Sequence, residues 1–154
     1  MYPNYPYPHD WSSVLEILIQ SMNGEEMVCS MSSQLYHIPE TENLEGLDEM
    51  HRHLYDSSYH RVTATGCAKR LQAGEYHDTI IKTMISCVQN ALDADQKVMK
   101  WLQVMRDNAP NEFTQFIEII IRWQQETVQS LSMAQHRLSQ MGFEIENQRM
   151  NAAY

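Results

Sequence analysis

Read for the spacing of its apolar side chains, the chain divides into four long stretches of helical period, separated by breaks that carry proline or glycine. The first is predicted to start at His9-Asp10-Trp11, with Asp10 or Ser12 as N-cap, and to run to about His37. Its inward stripe is Val14, Leu18, Ser21 or Met22, Glu25, Val28, Cys29 and Ser32, and Ile38-Pro39 ends it because the residue before proline is pushed out of the α region. The second restarts near Thr41 and fades between Gly66 and Gly74; Met50, His53, Ser57, His60, Ala64, Cys67 and Leu71 share one of its faces. The third begins near Asp78 and runs to about Arg106, with Ile81, Met84, Ile85, Val88, Leu92, Asp95, Val98, Met99, Leu102 and Met105 inward. The fourth spans about Asn111 to Gln140, with Phe116, Ile119, Ile120, Trp123, Glu126, Thr127, Ser130, Met133 and Ala134 as its best inward face. Rods of this length reach on the order of 40 Å, the height of a four-helix bundle.

Composition supports this all-α reading. One domain of 154 residues with 43% hydrophobic residues buries a substantial core, and Gly 5 and Pro 5 are too few for the many tight turns of an all-β fold. Eleven methionines suit helix packing. Before the bundle, residues 1–8 read as a Tyr/Pro-rich arm that no helix can traverse; residues 9–141 are the bundle, and residues 142–154 a tail or short fifth helix, with Gly142 as the stop. The formal charge of −9 argues against a nucleic-acid surface. No apolar run is long enough to span a membrane, and neither a basic n-region nor an apolar h-region of a secretory signal is visible at the N-terminus. Cys29, Cys67 and Cys87 are odd in number, far apart and without CxxC spacing, so they read as small buried thiols of a reducing compartment.

The chemistry in the pattern lies at mid-height. The first, third and fourth helices each place one carboxylate (Glu25, Asp95 and Glu126) in an apolar stripe, and the second places His60 there. A carboxylate buried alone costs several kcal/mol unless it is paired, protonated or metal-bound. Three acids and an imidazole at similar heights therefore predict a shared site, with the carboxylates of Glu25 and Glu126 within contact range of His60.

This arrangement resembles the ferritin-like superfamily, and within it the small rubrerythrin-like bundles, whose dimetal site takes one Glu from each of two helices and a Glu-x-x-His motif from each of the other two. Gly24-Glu25-Glu26-Met27-Val28 is similar to the first ligand segment. Asp56-Ser57-Ser58-Tyr59-His60 is similar to the second, with Ser57 in place of the ligand Glu. Ala91-Leu92-Asp93-Ala94-Asp95-Gln96 is similar to the third, with Asp95 for Glu; Gln125-Glu126-Thr127-Val128-Gln129 is similar to the fourth, with Gln129 for His. The resemblance covers roughly residues 10–140. It implies a ferritin-like four-helix bundle with a long crossover between the second and third helices, followed by a short C-terminal extension.

It also implies a degenerate metal centre made of Glu25, His60, Asp95 and Glu126, holding either no metal or a partially bound iron or manganese ion. Ser57 lacks the two hard oxygens of a bridging carboxylate, and Gln129 is a weaker donor than imidazole. His53 and His136 share faces with these positions. Three functions follow as expectations. The first is a non-catalytic structural protein that self-assembles through the Tyr/Pro arm as a homo-oligomer or higher assembly, similar in composition to spore-coat proteins and cytoplasmic or spore-associated. The second is an iron- or manganese-dependent oxidoreductase handling peroxide or oxygen. The third is a partner-binding bundle unrelated to ferritins. Phosphate loops, nucleophile elbows and zinc spacings are absent from the sequence.

Overall fold

A computed structural model describes residues 11–142, so the expected N-terminal arm and the tail beyond Gly142 lie outside the described residues. Within them the protein is all-helical. Helix α1 spans Trp11–Gln34 and continues as one 3-10 turn, Leu35–His37; α2 spans Leu47–Gln72, α3 Asp78–Asn108 and α4 Asn111–Gln140. Each helix packs on two neighbours in a ring, α1–α2–α3–α4–α1, which leaves α1 diagonal to α3 and α2 diagonal to α4.

The connections are short and locally determined. Between α1 and α2 the chain turns through Ile38–Gly46, pinned by the buried Thr41 hydroxyl, which donates to the Leu35 carbonyl at 2.8 Å. Gly46 ends this turn at φ 93°, where a Cβ would also press on the Trp101 carbonyl. Helix α2 closes in a Schellman arrangement: Gly74, at φ 101°, bonds to the Leu71 carbonyl and Glu75 N–H to that of Arg70. Pro110 stands immediately before α4, where its missing N–H is harmless.

The α2–α3 connection corrects one expectation. Helix α2 does not fade at Gly66 but continues to Gln72, and only Ala73–His77 separate it from α3. Five residues reach at most roughly 17 Å, well short of a bundle height. The long crossover is therefore absent: the helices run up, down, up and down, with α2 and α3 antiparallel neighbours.

All four helices carry an unbroken heptad, with steps alternating between three and four. The buried positions are Trp11, Val14, Leu18, Ser21, Glu25, Val28, Ser32 and Leu35 in the first rod; Leu47, Met50, Leu54, Ser57, Arg61, Ala64, Ala68 and Leu71 in α2; Ile81, Met84, Val88, Ala91, Asp95, Val98, Leu102 and Met105 in α3; and Ile117, Ile120, Gln124, Thr127, Leu131, Ala134, Leu138 and Met141 along α4. Antiparallel packing stacks these as layers of four. Their apolar members form two separate clusters, one around Trp11, Leu71, Ile81 and Leu138, the other around Leu35, Leu47, Met105 and Ile117. Burial of each Leu or Ile in these ends contributes about 1.5–3 kcal/mol. What divides the two clusters is a polar waist.

Candidate functional site

The waist is built around a residue that the spacing argument passed over. Arg61 is fully buried, in the α2 heptad between Ser57 and Ala64. Its guanidinium lies across the bundle axis. Nη2 donates to Asp95 Oδ2, and Nη1 reaches Asp95 Oδ1 at 3.1 Å, a two-point fork on α3. Nη1 also donates to Glu25 Oε2 on α1 and to Ser57 Oγ one turn back. Nε donates to Ser21 Oγ at 2.7 Å. The two serine hydroxyls pass the bonding onward: Ser21 Oγ donates to the Thr127 carbonyl of α4 at 3.1 Å, and Ser57 Oγ to Asp95 Oδ1 at 2.6 Å. Gln124 completes the waist from α4, donating to the Asp95 carbonyl at 3.4 Å. One cation thus ties α2 directly to α1 and α3, and through a serine to α4.

With both acids ionised the waist would hold one positive and two negative charges. Burial pushes the Glu25 carboxyl above its ordinary 4.5; the Arg61 charge opposes that rise, and the Asp95 charge adds to it. Burial therefore eases proton uptake by Glu25, which sits beside the forked Arg61–Asp95 pair. Such a pair, stripped of water, offers little net stability against an apolar equivalent, but breaking it leaves a buried charge uncompensated.

Of the four predicted ligands, the structure brings two together. Glu25 and Asp95 meet, but across Arg61. His60, one residue away from Arg61, sits at the α2 flank, half-buried, 3.5 Å from Asp56 of its own helix and edge-on to Tyr59. Glu126 is exposed on α4, and so is Gln129; the inward residues there are Gln124 and Thr127. The expected contact of Glu25 and Glu126 with His60 is therefore not the arrangement found. Ser57 does lie in the waist, while His53 is half-buried and His136 exposed. No group of three or more His, Cys, Asp or Glu is placed to hold a metal ion among the described residues. The donor set does not fit an iron or manganese ion: its two acids are engaged by a guanidinium, and its imidazole and third acid face elsewhere.

The signal that could have found Arg61 is the other phase of the same helix. Met50, Ser57, Ala64 and Leu71 belong to both stripes; Leu54 and Ala68, in place of His53 and Cys67, select the phase that carries Arg61 inward.

A second buried polar group lies nearer the α1–α2 turn. His51, 5% exposed, is held by Ser32, whose hydroxyl donates to the Val28 carbonyl at 2.7 Å. With that proton committed, His51 Nε2–H donates to Ser32 Oγ at 3.1 Å, and Nδ1 is left with a bare lone pair and no partner among the described residues. Burial lowers the acidity range of the ring below its ordinary 6.5, against the opposing pull of Ser32 and Asp48. Tyr36 and Tyr55 pack against the ring at 5.2 and 6.0 Å, and Tyr36 donates to Asp48 Oδ1 at 2.6 Å. The arrangement holds a neutral imidazole.

No described helix is long and apolar enough to cross a membrane. A comparison with known protein families, with curated proteins and with solved structures finds no match to this chain.

Proposed function

We propose that this chain is a non-catalytic structural protein that works by associating with copies of itself, its two buried mid-height acids being engaged by a side-chain cation rather than by a metal. The observation that supports this most is Arg61, whose guanidinium lies between Glu25 and Asp95 and engages both. Each of the three guanidinium nitrogens has an acceptor within the bundle, so the waist is organised for holding helices together. Large apolar side chains remain on the outside, foremost Tyr55, Tyr59 and Val62 on α2, which is surface of the kind that self-association covers. Ferritin-like kinship is not needed for this reading, and the five-residue turn between α2 and α3 follows a different path.

The test is paired. Protein purified without chelator is assayed for bound metal and for oligomeric state. The expected result is substoichiometric iron and manganese together with a concentration-dependent assembly. About one or two metal ions per chain would retire the proposal in favour of a metal-dependent oxidoreductase.

A further inference from the structure

The outer face of α2 carries a second stripe at heptad spacing, opposite in direction to the core: Tyr55, Tyr59, Val62 and Gly66, steps of four, three and four. Tyr55 is 64% exposed, Tyr59 68% and Val62 53%, so three large side chains stand in water along two turns of one helix. Gly66 extends the stripe and is unexplained by the monomer. Its φ is not positive, and a Cβ added there would meet nothing within 4 Å. A glycine inside a 26-residue helix weakens it, and here neither backbone conformation nor internal packing asks for one. What glycine does supply is a notch in an exposed apolar ridge.

The charges flanking the ridge have a direction. Asp48 and Glu49 stand at its start, Lys69 and Arg70 at its end, and Asp48 and Lys69 continue the stripe itself. A parallel neighbour would set acid on acid and base on base. An antiparallel one sets Asp48 against Lys69 at both ends at once, which is the self-complementarity a two-fold axis requires.

Resting on the self-association reading above, we propose that the α2 outer face is a homodimer seam in which two copies of α2 lie antiparallel about a two-fold axis near Tyr59. Tyr59 meets its own copy at the axis and Tyr55 packs on the partner's Val62. The stem of Arg52 crosses the partner's Gly66 notch, and Asp48 pairs with the partner's Lys69 at each end. From Asp48 to Lys69 the seam is about 32 Å long. A single pair of helices buries a modest area, so the dimer is a weak one, sensitive to salt.

Sedimentation equilibrium of the full chain tests this, with circular dichroism showing that each variant is folded. Asp48→Lys and Lys69→Glu are each expected to weaken the dimer roughly tenfold. The two together restore the pairing with its sign exchanged, and the double variant is expected to return to within about twofold of the original. Val62→Lys is expected to abolish the dimer. If the chain associates but none of these variants changes it, this seam is wrong and self-association runs through another face. A double variant no stronger than either single one also overturns the antiparallel pairing. If the unaltered chain stays monomeric at every concentration, the seam and the self-association reading fall together.

Discussion

The apolar ends of the bundle and its polar waist are built on one heptad, yet they constrain the fold differently. In the ends, Leu, Ile, Met and Ala stack in layers that would pack tolerably if a helix slipped by seven residues. The waist has no such alternative. Arg61 finds Glu25, Ser21 and Asp95 only when α1, α2 and α3 stand at one height, and Ser21 carries that register on to the Thr127 carbonyl of α4. A slip of any of the first three would leave a charge buried without its partner. The ends therefore supply the drive to collapse, while the waist selects the register. A buried polar group that fixes register at a cost in stability is well known from coiled coils.

The largest expected effect breaks the waist from its centre. Arg61→Met keeps most of the side-chain volume but leaves Asp95 without its cation, and is expected to cost about 3–5 kcal/mol in urea unfolding. That is a large share of the roughly 5–15 kcal/mol by which a domain is held folded. Next comes Gly24, which packs directly on Thr127 beside the waist. A methyl group there would overlap Thr127 Oγ1, so Gly24→Ala is expected to destabilise by about 1–3 kcal/mol, measured the same way.

Smaller effects separate the waist from the polar group nearer the end by pH. Glu25 holds its proton more tightly in the native state than in the unfolded chain. Its contribution is fully present below about 4.5 and is lost as pH rises through the native value. Glu25→Gln should therefore flatten the decline in stability on the upward side of 4.5. His51 acts in the opposite sense. The unfolded chain takes up its proton below about 6.5 while the native ring resists, so stability falls as pH drops from there. His51→Gln should remove that acid-side loss and leave the Glu25 slope in place. Stability curves with the two slopes exchanged would break the assignment.

Much of this was legible in the spacing of residues. Four helices follow from the apolar period, and three of their ends from Ile38-Pro39, Pro110 and Gly142; Glu25, Ser57 and Asp95 stand out as polar interruptions. Three things were not. Arginine is almost never fully buried unless paired, so the spacing alone leads to the stripe through His53 and His60 and passes over the one through Leu54 and Arg61. In α4, Phe116, Ile117, Ile119, Ile120, Ile121 and Trp123 leave the first half apolar nearly all round, which gives no phase. Only Leu131 and Leu138, further along, show that Gln124 and Thr127 point inward and Glu126 outward. The α2–α3 turn was open as well, because Lys69-Arg70-Leu71 is compatible with either a continuing helix or an early exit; the Gly74 closure at Gln72 decides it.

The central claim is that Arg61 holds the interior acids as bonded partners and that these are costly only in its absence. Equilibrium unfolding of three proteins tests it: the natural chain, Arg61→Met, and Arg61→Met combined with Glu25→Leu and Asp95→Val. A large loss in the single variant, recovered to within about 1 kcal/mol in the triple one, is the predicted outcome. A single variant as stable as the natural chain, or a triple variant no more stable than the single, would contradict it.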